Sequence, residues 1–262
     1  MPPTVLLLPG LLCTPQIFDS VLPLLRRAFP ALRIDAPALP THPTMEAVAR
    51  ALLSAHPGPL ALCGLSMGGY AALAAAAAAP DRVAGLFLLN SHHRADAPEA
   101  RARRFVAIGK VSAGGAEALV EVAAAQAALL LHPSLVPRDT GAAAREAVRG
   151  GVGGVAGSHP CFSLFVRGAI ATGSDAFCAQ QRANASRSDS AAVLLQLGAR
   201  GAAVGVATGS HDALIPPALA AEAMGHAGTG KPTIFPECGH LSPLEAPEAV
   251  AEAISEWINK LR

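Results

Sequence analysis

The stretch Leu60–Pro80, LALCGLSMGGYAALAAAAAAP, constrains the fold more than any other part of the chain. A short apolar run reads as a buried strand and a long alanine-rich run as a helix. Between them stands Gly64-Leu65-Ser66-Met67-Gly68-Gly69. A serine on so abrupt a strand-to-helix turn is forced into a strained backbone that exposes its hydroxyl. Side chains two positions either side would collide, so glycine is required at Gly64 and Gly68. Gly69 and the alanines let the helix pack close to the turn. The helix N-terminus directs free N–H groups and partial positive charge at the serine oxygen.

The flanking sequence alternates between strand and helix. Apolar runs predict strands over Thr4–Leu8, Leu32–Ala36, Leu60–Cys63 and Val83–Leu89, with helices over Ile17–Ala28, Thr44–Ala55 and Tyr70–Ala79. Thr44 is placed to cap the second helix. From about Ala95 strand-like runs vanish and helical spacings take over, punctuated by Gly150-Gly151 and Gly153-Gly154. Strand character returns at Ala202–Ala207 and Thr233–Phe235. A last helix begins near Pro247 and carries Val250, Ile254, Trp257, Ile258 and Leu261 on one face. The pattern predicts an α/β protein with a mostly parallel sheet and helices on both faces. Residues 1–94 and 201–262 form the core in this scheme, and residues 95–200 form an inserted helical lid.

Composition excludes several classes of function. With 262 residues the chain can bury one sizeable core. A net charge of +1 gives no electrostatic case for nucleic acid or an anionic membrane surface. No run of strongly apolar residues reaches the length of a membrane span, and the start, MPPTVLLLPG, lacks the basic leader of a signal peptide. Cys13, Cys63, Cys161, Cys178 and Cys238 are odd in number and form no CxxC pair. They read as reduced thiols in a cytoplasmic protein, not as disulfides or a zinc site.

A serine nucleophile needs a base, and the base needs an orienting acid. His240 lies in FPECGHLSPLEAPEAV and Asp212 in ATGSHDALIPP, each just past the end of a predicted strand, where open α/β sheets place their sites. Chain order favours Ser66, Asp212 and His240 as catalytic residues. Glu237 and Asp96 are the competing acids.

On these residues the chain resembles the α/β-hydrolase superfamily, in particular its small capped members: lactonases, carboxylesterases, cofactor-free haloperoxidases and C–C bond hydrolases. The likeness spans nearly the whole chain and rests on LLLPGLLCTPQIFDSVLPLL, the turn at Ser66, TGSHDALIPP and ECGHLSPLEAPEAV. It implies an oxyanion hole from the backbone N–H groups of Leu11 and Met67. It also implies a sheet of about six strands, because two customary edge strands are missing from the start. Two departures stand out: Pro9 occupies a position that is usually histidine, and DAPALPTHPT lacks the glycine-rich loop seen in the superfamily.

The implied activity is cleavage of a small, mainly apolar carboxylic ester or lactone through an acyl-enzyme on Ser66, with no metal and no cofactor. The same site could serve peracid or C–C bond chemistry, and some members of the superfamily are receptors that do no catalysis. Other features carry weaker expectations. His92-His93 either line the pocket or sit exposed, and they make a poor metal pair without a carboxylate or a third ligand. Arg101, Arg103 and Arg104 read as the solvated face of a lid helix, and Phe162 and Phe165 as lid core.

Overall fold

The computed structural model describes residues 2–149 and 159–261; the glycine pairs of residues 150–154 lie outside them. Six parallel strands form one sheet in the order β2-β1-β3-β4-β5-β6. They are β1 (Thr4–Leu8), β2 (Ile34–Asp35), β3 (Leu60–Leu65), β4 (Val83–Leu89), β5 (Ala203–Gly209) and β6 (Thr233–Phe235). The chain runs from β1 outward to β2 and then crosses back to β3. The loops that leave β1 and β3 therefore diverge at the carboxyl edge, where such sheets open a crevice. That crevice separates the Pro9-Gly10-Leu11 loop from Ser66.

Both faces of the sheet are buried, so the strands are continuously apolar instead of alternating. Val5, Leu7, Cys63 and Phe87 face one layer, which includes α1 (Leu22–Ala28) and α10 (Pro247–Ile258). Leu6, Leu8, Leu62 and Leu88 face the other. That layer is built from α2 (Met45–Ala55), α3 (Met67–Ala78), α8 (Ala191–Ala199) and α9 (Pro217–Ala227). Thr44 caps α2 by accepting a hydrogen bond from the Ala47 N–H at 3.3 Å.

Several predicted elements differ in extent, β2 being cut from Leu32–Ala36 to Ile34–Asp35. The helix expected over Ile17–Ala28 is split into a 3-10 turn, Pro15–Phe18, and α1. Pro23 explains the break, because it has no N–H for the Asp19 carbonyl and its ring would collide with that carbonyl. Strand β3 runs to Leu65 and α3 starts at Met67, so the turn between them is the single residue Ser66. Gly64, Gly68 and Gly69 belong to the strand and the helix themselves.

Between β4 and α8 the chain forms α4 (Pro98–Leu130), α5 (Thr140–Val148), α6 (Pro160–Thr172) and α7 (Ser174–Ser186). These pack mainly on one another. At 33 residues α4 is, by length and composition, apolar enough to cross a membrane, which no single run in the sequence foretold. It breaks at Gly115 (φ 59°, ψ −139°) and packs against α5, α6 and α7. The two chain segments joining this insert to the core are stitched together: Ser190 N–H donates to the His93 carbonyl at 2.8 Å, and Arg187 Nε to the Arg94 carbonyl at 3.1 Å. α8 packs on α9, β5 and α3, within the layer that covers the sheet.

Candidate active site

Ser66 has φ 50° and ψ −113°, a conformation that non-glycine residues rarely adopt. Its surroundings enforce it. The Ser66 N–H donates to the Leu89 carbonyl at 2.9 Å, and its carbonyl accepts from Ser91 Oγ at 2.8 Å and Gly69 N–H at 2.9 Å. The nearby glycines supply room. A Cβ on Gly64 would stand 2.2 Å from the Gly68 backbone, one on Gly68 would stand 2.2 Å from the Leu8 carbonyl oxygen, and one on Gly69 would stand 2.3 Å from Ser91 Oγ. None of the three has positive φ, so it is space and not backbone freedom that demands glycine here.

His240 and Asp212 meet in the interior. His240 is 2 % exposed, and its Nδ1 lies 2.8 Å and 3.0 Å from the two Asp212 carboxylate oxygens. Asp212 Oδ1 also accepts the N–H groups of Leu214 and Ile215, both at 2.9 Å. Oδ2 accepts Asn90 Nδ2 at 2.9 Å and lies 3.1 Å from Thr208 Oγ1. The Thr208 hydroxyl also lies 2.7 Å from the Ile215 carbonyl, so its one proton serves one of these acceptors at a time. Burial alone would raise the Asp212 carboxyl. The charge and hydrogen bond of His240, with the bonds from Asn90 and Ile215, hold it below its ordinary value.

The competing acids are engaged elsewhere. Asp96 pairs with Arg104 and Arg187, while Glu237 is 80 % exposed with a carboxylate oxygen 3.5 Å from His132 Nε2.

Three supporting residues carried no signal that singled them out in the sequence. Asn90, fully buried with φ 46°, links Asp212 to the Gly239 carbonyl and accepts Ser242 Oγ. Ser91 holds the Ser66 carbonyl. Glu245 accepts the N–H groups of Gly239 and Leu241, one on each side of His240, and that of His132. An asparagine directly after a strand is the one available hint, since asparagine tolerates the left-handed region.

Ser66, His240 and Leu11 line one cavity of about 500 Å³. Met67 lies buried behind Ser66, and its N–H opens α3, among the first-turn donors that have no acceptor within the helix. The Leu11 loop is a turn closed by Cys13 N–H to the Gly10 carbonyl at 3.1 Å. Leu12 (φ 61°) donates its N–H to Gln180 Oε1 of α7 at 3.1 Å.

The cavity has two unlike walls. Leu130, Phe165, Ile215 and Leu241 are on the apolar one. The other carries His92, Asp96, Gln181, Asn184 and four arginines, Arg94, Arg103, Arg104 and Arg187. By area the lining is mostly apolar, and the charged cluster stands within it. On α4, Arg104 turns inward and the exposed Arg103 also contributes to the lining, and Arg187, at the end of α7, carried no sequence signal. Arg101 is exposed and outside the cavity lining. Phe162 is core, whereas Phe165 is both core and cavity wall.

A sequence model described as the alpha/beta hydrolase family matches residues 5–253. The chain belongs to that family. It is 38 % identical over 96 residues to a pimeloyl-[acyl-carrier protein] methyl ester esterase of Aromatoleum aromaticum, a match covering 34 % of this chain and 37 % of that one. Among solved structures it is similar to a thermophilic esterase from Thermogutta terrifontis with malate bound, at TM-score 0.73 and 25 % identity. That match covers 99 % of this chain and 90 % of the esterase. The enol-lactonase of Burkholderia xenovorans shares the fold at TM-score 0.73 and 19 % identity, with 99 % and 92 % of the two chains covered.

Outside the cavity, two groups of side chains among the described residues of this α/β hydrolase could hold a metal ion. His93 acquires the carboxylate and third ligand that its sequence neighbourhood lacked, from Glu222 (3.3 Å) and His226 of α9, although Arg94 already pairs with that carboxylate. His132, His211 and Glu237 form the second group, at the surface. The five cysteines are all buried and unpaired. Burial pushes the Cys13 thiol up to about 12 and that of Cys161 to about 11, and raises Cys63 and Cys238 as well, which suits packing and not nucleophilic attack.

Proposed function

We infer that this hydrolase cleaves a small carboxylic ester or lactone through an acyl-enzyme on Ser66. The observation that carries this reading is the strained Ser66 sharing a cavity with a histidine whose Nδ1 is held by a buried, ionised Asp212. With Nδ1 donating to Asp212, Nε2 is the unprotonated nitrogen of the neutral ring and can accept the Ser66 proton. Ser66 Oγ then bonds to the substrate carbonyl carbon, and the carbonyl oxygen takes up negative charge between the N–H groups of Leu11 and Met67. Collapse breaks the carbon–oxygen bond to the alcohol, which leaves with the proton from His240. Water repeats the sequence and frees the acid.

Helices α4 to α7 act as the lid over this centre. Two likenesses support an ester as substrate: the partial one to a methyl ester esterase and the fold-wide one to a thermophilic esterase.

A fluorophosphonate probe followed by peptide mass spectrometry tests the reading. One adduct on Ser66 is expected, lost in Ser66→Ala, with turnover of short methyl esters lost alongside it. Asp212→Asn should lower kcat by on the order of 10⁴, and Glu237→Gln should leave it within about two-fold. An unlabelled Ser66, or full activity in Ser66→Ala, would overturn the assignment.

A further inference from the structure

Two of the four arginines on the basic wall are too buried to belong to a solvated helix face. The Arg104 side chain is 20 % exposed and that of Arg187 is 6 %. Both guanidinium groups draw on a single carboxylate, Asp96. Arg94 is matched by Glu222 from outside the cavity, and Arg103 pairs with no acidic group among the described residues. Four cations thus face two carboxylates, and two positive charges remain over a partly enclosed space.

The hydrogen-bond inventory leaves donors to spare. Arg187 uses Nε on the Arg94 carbonyl and Nη1 on Asp96 and the Asn184 carbonyl. Its Nη2 has no acceptor among the described residues. The guanidinium is fixed by stacking 4.1 Å over the Tyr70 ring. Asn184, 2 % exposed and on the same wall, has a side-chain oxygen with no partner. Rotating that amide by half a turn presents its NH₂ group instead, so the position can meet an anion. His92 reports the same field: burial, then Arg187, His93 and Arg94, lower it to about 3 and keep it uncharged.

We propose that this wall is an anion subsite, and that the preferred substrate is the monoester of a dicarboxylic acid. Its ester end meets Ser66, its methylene chain lies along Leu130, Phe165, Ile215 and Leu241, and its free carboxylate is held by Arg103, Arg187 and Asn184. The proposal rests on the hydrolase reading for its ester end and on the arginines for its acid end. A carboxylate supplies the negative charge and the acceptor atoms that the wall lacks. A neutral chain of the same length would leave the arginines desolvated without compensation.

The test compares monomethyl esters of succinic through suberic acid with methyl esters of monocarboxylic acids of equal length. At one chain length the acidic ester should be favoured in kcat/KM by about ten-fold or more, chiefly through KM, with the preference falling as salt is added. Arg103→Gln, at an exposed position, should collapse that ratio, and Arg101→Gln, outside the cavity, should keep it. A neutral ester preferred at every length, or a ratio unchanged in Arg103→Gln, would overturn the subsite.

If no ester is turned over, the hydrolase reading fails by itself, and calorimetric titration of the same protein with adipate decides the subsite. Binding that weakens in Arg103→Gln upholds it, and no binding to the wild type overturns it.

Discussion

Asn90 Nδ2 donates to Asp212 Oδ2 at 2.9 Å from a backbone conformation, φ 46°, that costs most residues energy. The cost is met by connectivity. The same side chain reaches the Gly239 carbonyl and accepts Ser242 Oγ, and the Asn90 N–H donates to the Ala207 carbonyl. One residue at the end of β4 therefore joins the loops that carry the acid and the histidine. Asn90→Gly keeps the left-handed backbone cheap but strands three buried polar partners. It should lose about 1–3 kcal/mol of stability in urea denaturation, together with much of kcat. Asn90→Ala adds the backbone penalty and should lose about 1–2 kcal/mol more. Equal stability of the two variants would show that the conformation is not strained.

The glycines of this chain divide by what surrounds them, and alanine substitution reads that division directly. Gly68→Ala drives a Cβ to 2.2 Å from the Leu8 carbonyl oxygen, a backbone atom at the end of β1, paired in the sheet beside β3 and unable to step aside. Failure to fold is expected, seen as loss of soluble protein. Gly109, inside α4, has nothing within 4 Å of an added Cβ and no positive φ. Gly109→Ala should raise stability by about 0.8–1 kcal/mol through helix propensity, measured as an upward shift in Tm.

Legibility followed how local the cause of each feature is. Strand β4 and the cap at Thr44 were readable because apolar run length and a capping hydroxyl act within a few residues. The Ser66 turn was readable from the spacing of its glycines about the serine, although only Gly64 answers to a near neighbour, Gly68, while Gly68 and Gly69 make room for Leu8 and Ser91. Asn90 and Arg187 were not readable, since each takes its role from a partner far along the chain, Asp212 and Asp96. The charged cluster in the cavity was not readable for the same reason. A helical repeat shows that Arg103 and Arg104 share a region of α4, but only the packing of α7 decides that Arg104 is drawn inward, to Gln181.

His92 gives a pH dependence whose sign follows from its surroundings. Burial, with Arg187, His93 and Arg94, lowers its folded-state value to about 3 against an ordinary 6.5. Between those values the unfolded chain binds a proton that the folded chain refuses. The stabilisation is therefore complete above about pH 6.5 and is lost as pH falls towards 3, by up to about 1.4 kcal/mol per unit. His92→Asn has no such proton to bind. Between about pH 7.5 and 5 the wild type should lose about 2 kcal/mol more than the variant in urea melts. Parallel losses in the two proteins would mean that His92 protonates freely in the fold.

Glu245 bears on the reaction without touching the reacting atoms. Its Oε2 accepts Gly239 N–H at 2.9 Å and His132 N–H at 2.8 Å, and Oε1 accepts Leu241 N–H at 2.9 Å. The histidine is thus gripped through the peptide groups on both sides, and the same carboxylate holds the chain just past the end of α4. A second tie is His240 N–H to the Leu130 carbonyl at 2.6 Å. The approach is close enough that a Cβ on Gly239 would stand 2.6 Å from that carbonyl oxygen. Glu245→Gln cannot reproduce the grip in either amide orientation, because its NH₂ group must face at least one backbone N–H. The variant should lose about 1–3 kcal/mol of stability. With His240 no longer fixed, kcat should fall by more than KM for a short neutral ester rises, since Glu245 is not in the cavity lining and reaches it only through the Leu241 N–H. Glu245→Asp keeps the charge on a shorter stem and should recover part of kcat. A KM that rises with kcat unchanged would place Glu245 in substrate binding and remove it from the support of His240.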